Sequence, residues 1–99
     1  MNIEDIKQKI TPILKQQGVL KAAIFGSVAQ GNMTKNSDID IVVQLNKNKS
    51  LLDLIGLKLD LEDKLGKNVD MVSYKGISKF LKNIILKDQK IIYESRKEF

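Results

Sequence analysis

Two runs of sequence decide the fold, Ala23-Ile-Phe-Gly-Ser-Val-Ala-Gln-Gly31 and Ser37-Asp-Ile-Asp-Ile-Val-Val43. The first run predicts a strand that breaks at Gly26, and the second predicts another strand because it is rich in β-branched residues. Ten residues separate Ser27 from Asp38. This spacing brings a Gly-Ser turn and an Asp-x-Asp strand within reach of each other.

The Asp-x-Asp pair indicates a metal site. Asp38 and Asp40 lie two positions apart in a predicted strand over 37–45, so their carboxylates share one face. Carboxylates that close repel unless a cation lies between them, and oxygen ligands without sulfur or imidazole suit Mg²⁺ or Mn²⁺. The alternative is a pair of solvated acids on an exposed strand.

The Gly-Ser pair follows a predicted strand over 22–25, and the helical turn 27–30 would end at Gly31. Gly26 allows close approach of a ligand, and the free N–H groups of the turn, with the Ser27 hydroxyl, suit phosphates. Alone, a Gly-Ser pair indicates an ordinary turn. Joined to Asp-x-Asp at this spacing, it indicates phosphate binding.

With Gly-Ser, ten residues and Asp-x-Asp in this order, the chain resembles the nucleotidyltransferase superfamily that includes DNA polymerase beta. More narrowly, it is similar to the minimal nucleotidyltransferases, small chains often encoded as antitoxins beside a helical HEPN-type toxin. The resemblance covers nearly the whole chain. It implies that Asp38 and Asp40 bind two divalent ions, and that Gly26, Ser27 and Ser37 hold a nucleoside triphosphate.

A third acid on a neighbouring strand completes such sites in this superfamily. Asp70 is the candidate, because it stands in a short apolar run after a predicted helix. Asp60, Glu62 and Asp63, on that helix, are alternatives of poorer geometry.

The chain departs from the family pattern at two positions. Relatives commonly carry Arg or another polar residue after Gly-Ser and Arg before the second glycine, where this chain has Val28 and Gln30. A missing guanidinium removes a bidentate phosphate contact. The departure therefore bears more on nucleotide affinity than on metal binding.

Length and composition favour one small catalytic core. The 99 residues, 1–99, are expected to form a single nucleotidyltransferase domain, and the absence of Cys and His excludes a thiolate or imidazole metal site and His acid–base chemistry. Any general base must be a carboxylate. The start of the chain lacks a secretory leader and no apolar run could span a bilayer, so we expect a cytoplasmic protein without a membrane partner.

The charge pattern gives a weaker indication of partners. The net charge is +5, from 17 basic and 12 acidic residues, but the lysines are scattered along the chain. Lys75, Lys79 and Lys82 follow Asp70 closely and could meet phosphate or an acidic partner. We interpret the lysines as solvated surface and leave direct nucleic-acid binding open.

Apolar spacing predicts the helices. Ile3, Ile6, Ile10, Ile13 and Leu14 recur at helical intervals, so a helix is expected over 3–17, ended by Gly18. Pro12 either kinks this helix or begins a second one capped by Thr11, and we favour the kink.

A second helix is expected over 51–65, with Ser50 as N-cap and Gly66 at its end. It carries two apolar stripes, Leu51, Leu52, Ile55 and Leu59 in one and Leu54, Leu57, Leu61 and Leu65 in the other. Either the helix is wedged between the sheet and another helix, or one stripe is a partner surface. A later helix over 77–87 and a short final strand over 90–94 complete the prediction.

The predicted fold class is α+β, or α/β in the loose two-layer sense. A small mixed sheet of 22–25, 37–45 and 69–74 carries helices packed on one face, and the site lies on the open face. This is the arrangement that the superfamily resemblance implies.

The resemblance implies transfer of AMP from ATP to a hydroxyl, that of a Tyr on a cognate HEPN-type toxin, with Mg²⁺ (two ions, or Mn²⁺) as cofactor. Asp70 would be the base or a ligand that orients it. The principal alternative is a non-catalytic antitoxin that sequesters its partner. A third is an adenylyltransferase that acts on small molecules or RNA ends, and a homo-oligomer is left open.

Overall fold

The computed structural model describes residues 2–31 and 38–95. The elements in chain order are α1 (Ile3–Gln16), β1 (Val19–Phe25), α2 (Gly26–Ala29), β2 (Ile39–Leu45), α3 (Leu51–Leu65), β3 (Val69–Ser73), α4 (Lys79–Asp88) and β4 (Lys90–Glu94). The strands form one mixed sheet in the order β3-β2-β1-β4, with β1 antiparallel to β2 and β4 and β2 parallel to β3. The predicted fold class is confirmed, and the short final strand is present as β4.

The two central strands send alternate residues to opposite faces of the sheet. Ile24 and Ile41 lie in the main core with α1 and α3, whereas Ala23 and Val42 belong to a smaller cluster on the other face. The main core is apolar throughout its buried members, and the described residues include no buried polar or charged side chain. By the same alternation, Asp40 lies on the face away from the main core.

Helix α4 covers part of that second face. Ile85, which is 1% exposed, packs with Ala23 and Val42, and Val72 and Tyr74 border the cluster. The sequence analysis predicted helices on one face of the sheet only, whereas α4 packs on the other face. The apolar spacing of a helix does not show which face of a sheet the helix will cover. Ser78 caps α4, so the helix begins two residues later than predicted.

Helix α1 runs through Pro12 as one helix, which agrees with the single-helix prediction. It begins with a capping box in which the side chains of Asn2 and Asp5 each accept the other residue's backbone N–H. The helix ends at Gln16, with Gln17 as C-cap. Pro12 is exposed. The helix continues past Pro12 although one backbone donor is lost there, and the Thr11 hydroxyl donates to the carbonyl of Lys7.

Helix α3 has the predicted bounds and caps. Ser50 and Asp53 form a capping box, and Gly66 ends the helix with φ 67°. Of the two apolar stripes, one lies in or against the core, but the other faces solvent, with Leu51 70% and Leu52 78% exposed. The prediction of a wedged helix is therefore right for one stripe and wrong for the other. No helix in the described part of the chain is both long enough and apolar enough to cross a membrane.

Candidate active site

The parallel pairing of β2 with β3 brings two acids side by side. Asp40 is the register partner of Asp70, one step into a ladder that begins at Ile39 and Val69. The backbone N–H of Ile39 donates to the carbonyl of Asn68 at 3.0 Å, which fixes the ends of both strands. Direct partners on adjacent strands point to the same face, so both carboxylates lie on the face opposite the main core.

Asp38 stands just before β2 and is exposed. It is near enough for its charge to act on Asp40, so the three predicted acids occupy one end of the sheet. Within residues 2–31 and 38–95, however, no three His, Cys, Asp or Glu side chains are placed so that they could hold a metal ion. Asp40 and Asp70 form the close pair, and Asp38 lies at its margin.

The electrostatics of the pair are unfavourable without a cation. The pKa of Asp40 is raised, first because partial burial desolvates its carboxylate and then because Asp70 and Asp38 bring negative charge close to it. A hydrogen bond with the Asp70 side chain acts in the same direction. A divalent cation at these oxygens would relieve the repulsion, and carboxylates are the donors that Mg²⁺ and Mn²⁺ prefer, so the residues present fit such an ion.

The backbone of Gly26 lies close to the side chain of Asp40. Phe25, the last residue of β1, pairs with Asp40, and Gly26 follows with φ 75°. A Cβ built on Gly26 would collide with Oδ2 of Asp40 and would stand 3.2 Å from its Cγ. A Cβ there would overlap the carboxylate, so the glycine provides the room that the Asp40 side chain occupies.

The other predicted phosphate-binding residues are placed in part. Ser27 is exposed in α2, adjacent to Gly26, and the turn ends at Gly31 as predicted, with the Gly31 N–H donating to the carbonyl of Val28 at 3.1 Å. Ser37 lies outside the described residues. Val28 is 2% exposed in the main core, so its side chain points away from the acids.

The alternative acids on α3 are engaged elsewhere. Glu62 accepts the backbone N–H of Val69 at 2.9 Å, and Asp60 accepts the side-chain amide of Gln17. Asp63 is exposed on α3, the helix that packs on the main-core face of the sheet. Asp70 is therefore the acid whose position agrees with the Asp-x-Asp strand.

Sequence reasoning found these acids but missed the contact between Gly26 and Asp40. The signal was available, because an antiparallel pair of strands, one ending at Phe25 and the other beginning near Asp38, brings the turn beside the first acids. The register that decides which acid meets the glycine depends on tertiary pairing.

Residues 8–98 match the family model for polymerase beta, nucleotidyltransferase. The chain belongs to this family of nucleotidyltransferases. The resemblance drawn from Gly-Ser and Asp-x-Asp is confirmed, and the matched region contains the turn at Gly26 and all three acids.

Similar proteins agree with this assignment. A protein of Methanocaldococcus jannaschii (strain ATCC 43067) named "Putative protein adenylyltransferase MJ0435" is 51% identical over 88 residues, which cover 89% of this chain and 95% of that protein. A structure described as a "putative minimal nucleotidyltransferase" superposes with a TM-score of 0.80 at 32% identity, covering 91% of this chain and 95% of that one. A toxin–antitoxin complex with AMP-PNP gives a TM-score of 0.80 at 26% identity, covering 93% of this chain and 76% of the matched chain.

Proposed function

We propose that the protein transfers AMP from ATP to a hydroxyl group of a partner protein, a Tyr side chain of a cognate HEPN-type toxin, and acts as its antitoxin. The observation that carries this proposal is the register pairing of Asp40 with Asp70, with the Gly26 backbone against Asp40. Together these residues form an open acidic corner beside a Gly-Ser turn.

The acids fit the cofactor that the family resemblance implies. Asp38, Asp40 and Asp70 would hold Mg²⁺ or Mn²⁺, two ions in the full site, and such ions would relieve the repulsion that Asp70 and Asp38 exert on Asp40. Bound ions would neutralise charge on the triphosphate and lower the pKa of the acceptor hydroxyl. Without a cation the same acids repel ATP, so we propose that nucleotide binding at this corner requires the metal.

The chain's own groups position the reactants. Gly26 carries no side chain that could screen the backbone of the turn from a phosphate, and the exposed Ser27 hydroxyl, with Ser37, would bind the phosphates that leave. Asp70 takes the proton from the acceptor hydroxyl or orients the group that takes it. The acceptor oxygen forms a bond to the α-phosphorus, the bond from the α-phosphorus to the bridging oxygen breaks, and pyrophosphate leaves with that electron pair.

A partner protein as acceptor is supported by the relatives and by the surface. The Methanocaldococcus relative is named for adenylyl transfer to protein, and the matched complex is a toxin–antitoxin with AMP-PNP. Leu51, Leu52, Ile55 and Leu59 form an exposed apolar stripe on α3 that a partner could cover. ATP is the donor in this scheme, and we place the reaction in the cytoplasm.

A non-catalytic antitoxin is the alternative, and the departures at Val28 and Gln30 favour it. Val28 carries little weight, because its side chain is buried in the main core and fills a packing position. Gln30 is exposed and cannot supply a bidentate guanidinium. The three acids favour catalysis.

Wild type and Asp70→Asn would be incubated with ATP, Mg²⁺ and the product of the neighbouring gene, and that product weighed by intact-mass spectrometry. We expect addition of AMP by the wild type and a loss of about 10²- to 10⁴-fold for Asp70→Asn, which should still bind ATP with Mg²⁺ through Asp38 and Asp40. Asp63→Asn, an exposed acid on α3, is the matched control and should transfer normally.

Two results would contradict the scheme. No addition by the wild type, with Mg²⁺-dependent ATP binding intact, would favour the non-catalytic antitoxin. Undiminished transfer by Asp70→Asn would remove Asp70 from the site.

A further inference from the structure

A cavity of about 720 Å³ lies at the end of the sheet away from the acids. Its walls include Gln44, at the end of β2, and Tyr74, just after β3, while none of the acid-corner residues lines it. Asp40 and Gln44 are four residues apart on β2, a distance of about 13 Å at the usual rise of a strand. Between them, Val42 is covered by Ile85 of α4, so the cavity and the acid corner are separate.

The lining of this cavity is rich in lysine. Among residues 2–31 and 38–95, five lysines contribute to it, namely Lys21, Lys47, Lys49, Lys75 and Lys82, and no Asp or Glu does. They come from β1, from the β2–α3 loop, from the turn after β3 and from α4. In the part of the chain that the structure describes, no ion pair joins any of the five to a carboxylate. The fold therefore concentrates positive charge that looks scattered in the sequence.

Two carboxylates lie near the five lysines, because the charge of Glu94 acts on Tyr74 and the charge of Lys49 acts on Asp53. Glu94 is the register partner of Lys21 on β4, yet the Lys21 ammonium lies over the ring of Tyr74, 5.3 Å from its centroid. Asp53 is held by the N-terminal capping box of α3, where the Ser50 N–H donates to it at 2.7 Å. The lysines that line the cavity outnumber these two carboxylates, so the net charge there is positive and favours an anion that enters.

The cavity is also lined by an aromatic ring and by apolar side chains. The Tyr74 hydroxyl donates to Oε1 of Gln89, which holds the ring in place. Burial raises the pKa of Tyr74, and the charge of Glu94 adds to this, so the hydroxyl stays protonated. Leu45, Leu54 and Leu86 line the cavity beside the lysines. The site thus offers positive charge and apolar surface together.

We propose that this lysine-lined cavity binds a nucleotide through its phosphates without a metal ion, at a second site separate from the acid corner. Lysine binds phosphate as a point charge, and a site without carboxylates needs no cation to admit an anion. A polyphosphate brings several charges into a small volume, whereas a peptide brings at most one carboxylate per side chain. The apolar residues suit a base, and the volume falls within the range of ordinary ligand sites. This inference stands whether or not the acid corner transfers AMP.

The test is binding of inorganic tripolyphosphate in EDTA, measured by calorimetry. We expect binding by the wild type and a loss of at least about 10-fold in affinity for the Lys75→Gln, Lys82→Gln double variant, which removes two of five charges. Lys79→Gln, on α4 like Lys82 but outside the lining, is the control and should bind like the wild type. Thermal melts of all variants would show that the fold is intact.

ATP and a 5′-phosphorylated RNA octamer would identify the source of the nucleotide. Tighter binding of ATP than of tripolyphosphate assigns the site to free nucleotides, and tighter binding of the octamer assigns it to RNA. For RNA, the slope of log affinity against log salt concentration should become shallower in the double variant, by about one unit per lost phosphate contact. Three results would overturn the proposal: no binding in EDTA, an equal loss in Lys79→Gln, or tighter binding of a pentaglutamate peptide than of any phosphate probe.

Discussion

The two ends of strand β2 have opposite electrostatics. At its start, Asp38, Asp40 and Asp70 bring negative charge together on an open corner, while at its far end five lysines and no described acid line a cavity. We therefore expect an anion to enter the lysine-lined cavity directly and to need a cation at the acid corner. The difference teaches that the two ends of one short strand can offer phosphate opposite electrostatic environments.

The largest effect should come from removing metal at the acid corner. In the Lys75→Gln, Lys82→Gln background, where the second site is weakened, EDTA should lower ATP affinity by more than about 10-fold, because the phosphates and the Asp38 and Asp40 carboxylates repel each other without a cation. Calorimetric titration with and without Mg²⁺ would measure this. Equal affinity in both conditions would remove the distinction between the two ends.

Gly26→Ala should destabilise the acid corner. A positive φ costs an L-residue about 1–2 kcal/mol, and the new Cβ would also collide with Asp40, which adds about 1–3 kcal/mol of overpacking. Gly31→Ala is the matched control, since Gly31 has φ 80° but nothing lies within 4 Å of the Cβ that alanine would add there. Urea unfolding would give both losses of free energy.

An Asp40→Ala background would isolate the collision. In that background, Gly26→Ala should lower the free energy of unfolding by no more than Gly31→Ala does, because the Asp40 carboxylate is absent. If Gly26→Ala and Gly31→Ala are equally destabilising with Asp40 present, the close approach of Gly26 to Asp40 has no energetic weight.

A smaller effect concerns Asp40 and pH. Because its pKa is raised in the folded state, its protonation favours folding, and the wild type loses stability as pH rises through that raised pKa. In EDTA at neutral pH, Asp40→Asn should therefore melt slightly above the wild type, and the gap should close as pH falls. A lower melting temperature at neutral pH would mean that the carboxylate is structural.

The smallest effect is expected for Asp53, near the lysine end, and its sign is opposite. Its pKa is lowered, chiefly because the backbone N–H of Ser50 donates to the carboxylate, with a smaller contribution from the charge of Lys49. That stabilisation is present above the unfolded pKa and is lost as pH falls through the folded one. Asp53→Asn should thus melt slightly below the wild type at neutral pH and match it in acid. Thermal melts of Asp40→Asn and Asp53→Asn across pH would compare the two ends of β2 directly. Changes in melting temperature of the same sign at neutral pH would contradict the predicted opposite electrostatics of these ends.

Local signals in the sequence predicted the elements well. Ser50 and Gly66 bound α3 as expected, because caps and left-handed turns depend on one or two residues. The β-branched run over 37–45 predicted β2, and the isolated acid at position 70 was placed correctly beside it. Strand β1 begins at Val19, three residues before the predicted start.

Features that depend on tertiary pairing could not be predicted. The lysines of the cavity come from separate segments, so no window of sequence contains them, and they were interpreted as solvated surface. Likewise, the spacing of the two stripes on α3 cannot tell which of them meets the sheet. The Gly26 contact depends on the register between β1 and β2, which follows from the packing of the core.

The strict alternation of β2 also bears on folding fidelity. Ile39, Asp40 and Ile41 alternate between the core and the open face, so a slip of one residue against a neighbouring strand would bury a carboxylate and expose two isoleucines. An unpaired buried charge is heavily penalised, and such misaligned states are therefore poorly populated. Asp40, which we place at the reaction centre, thus also favours the correct register of β2. We expect removal of its charge to lower the yield of correctly refolded protein.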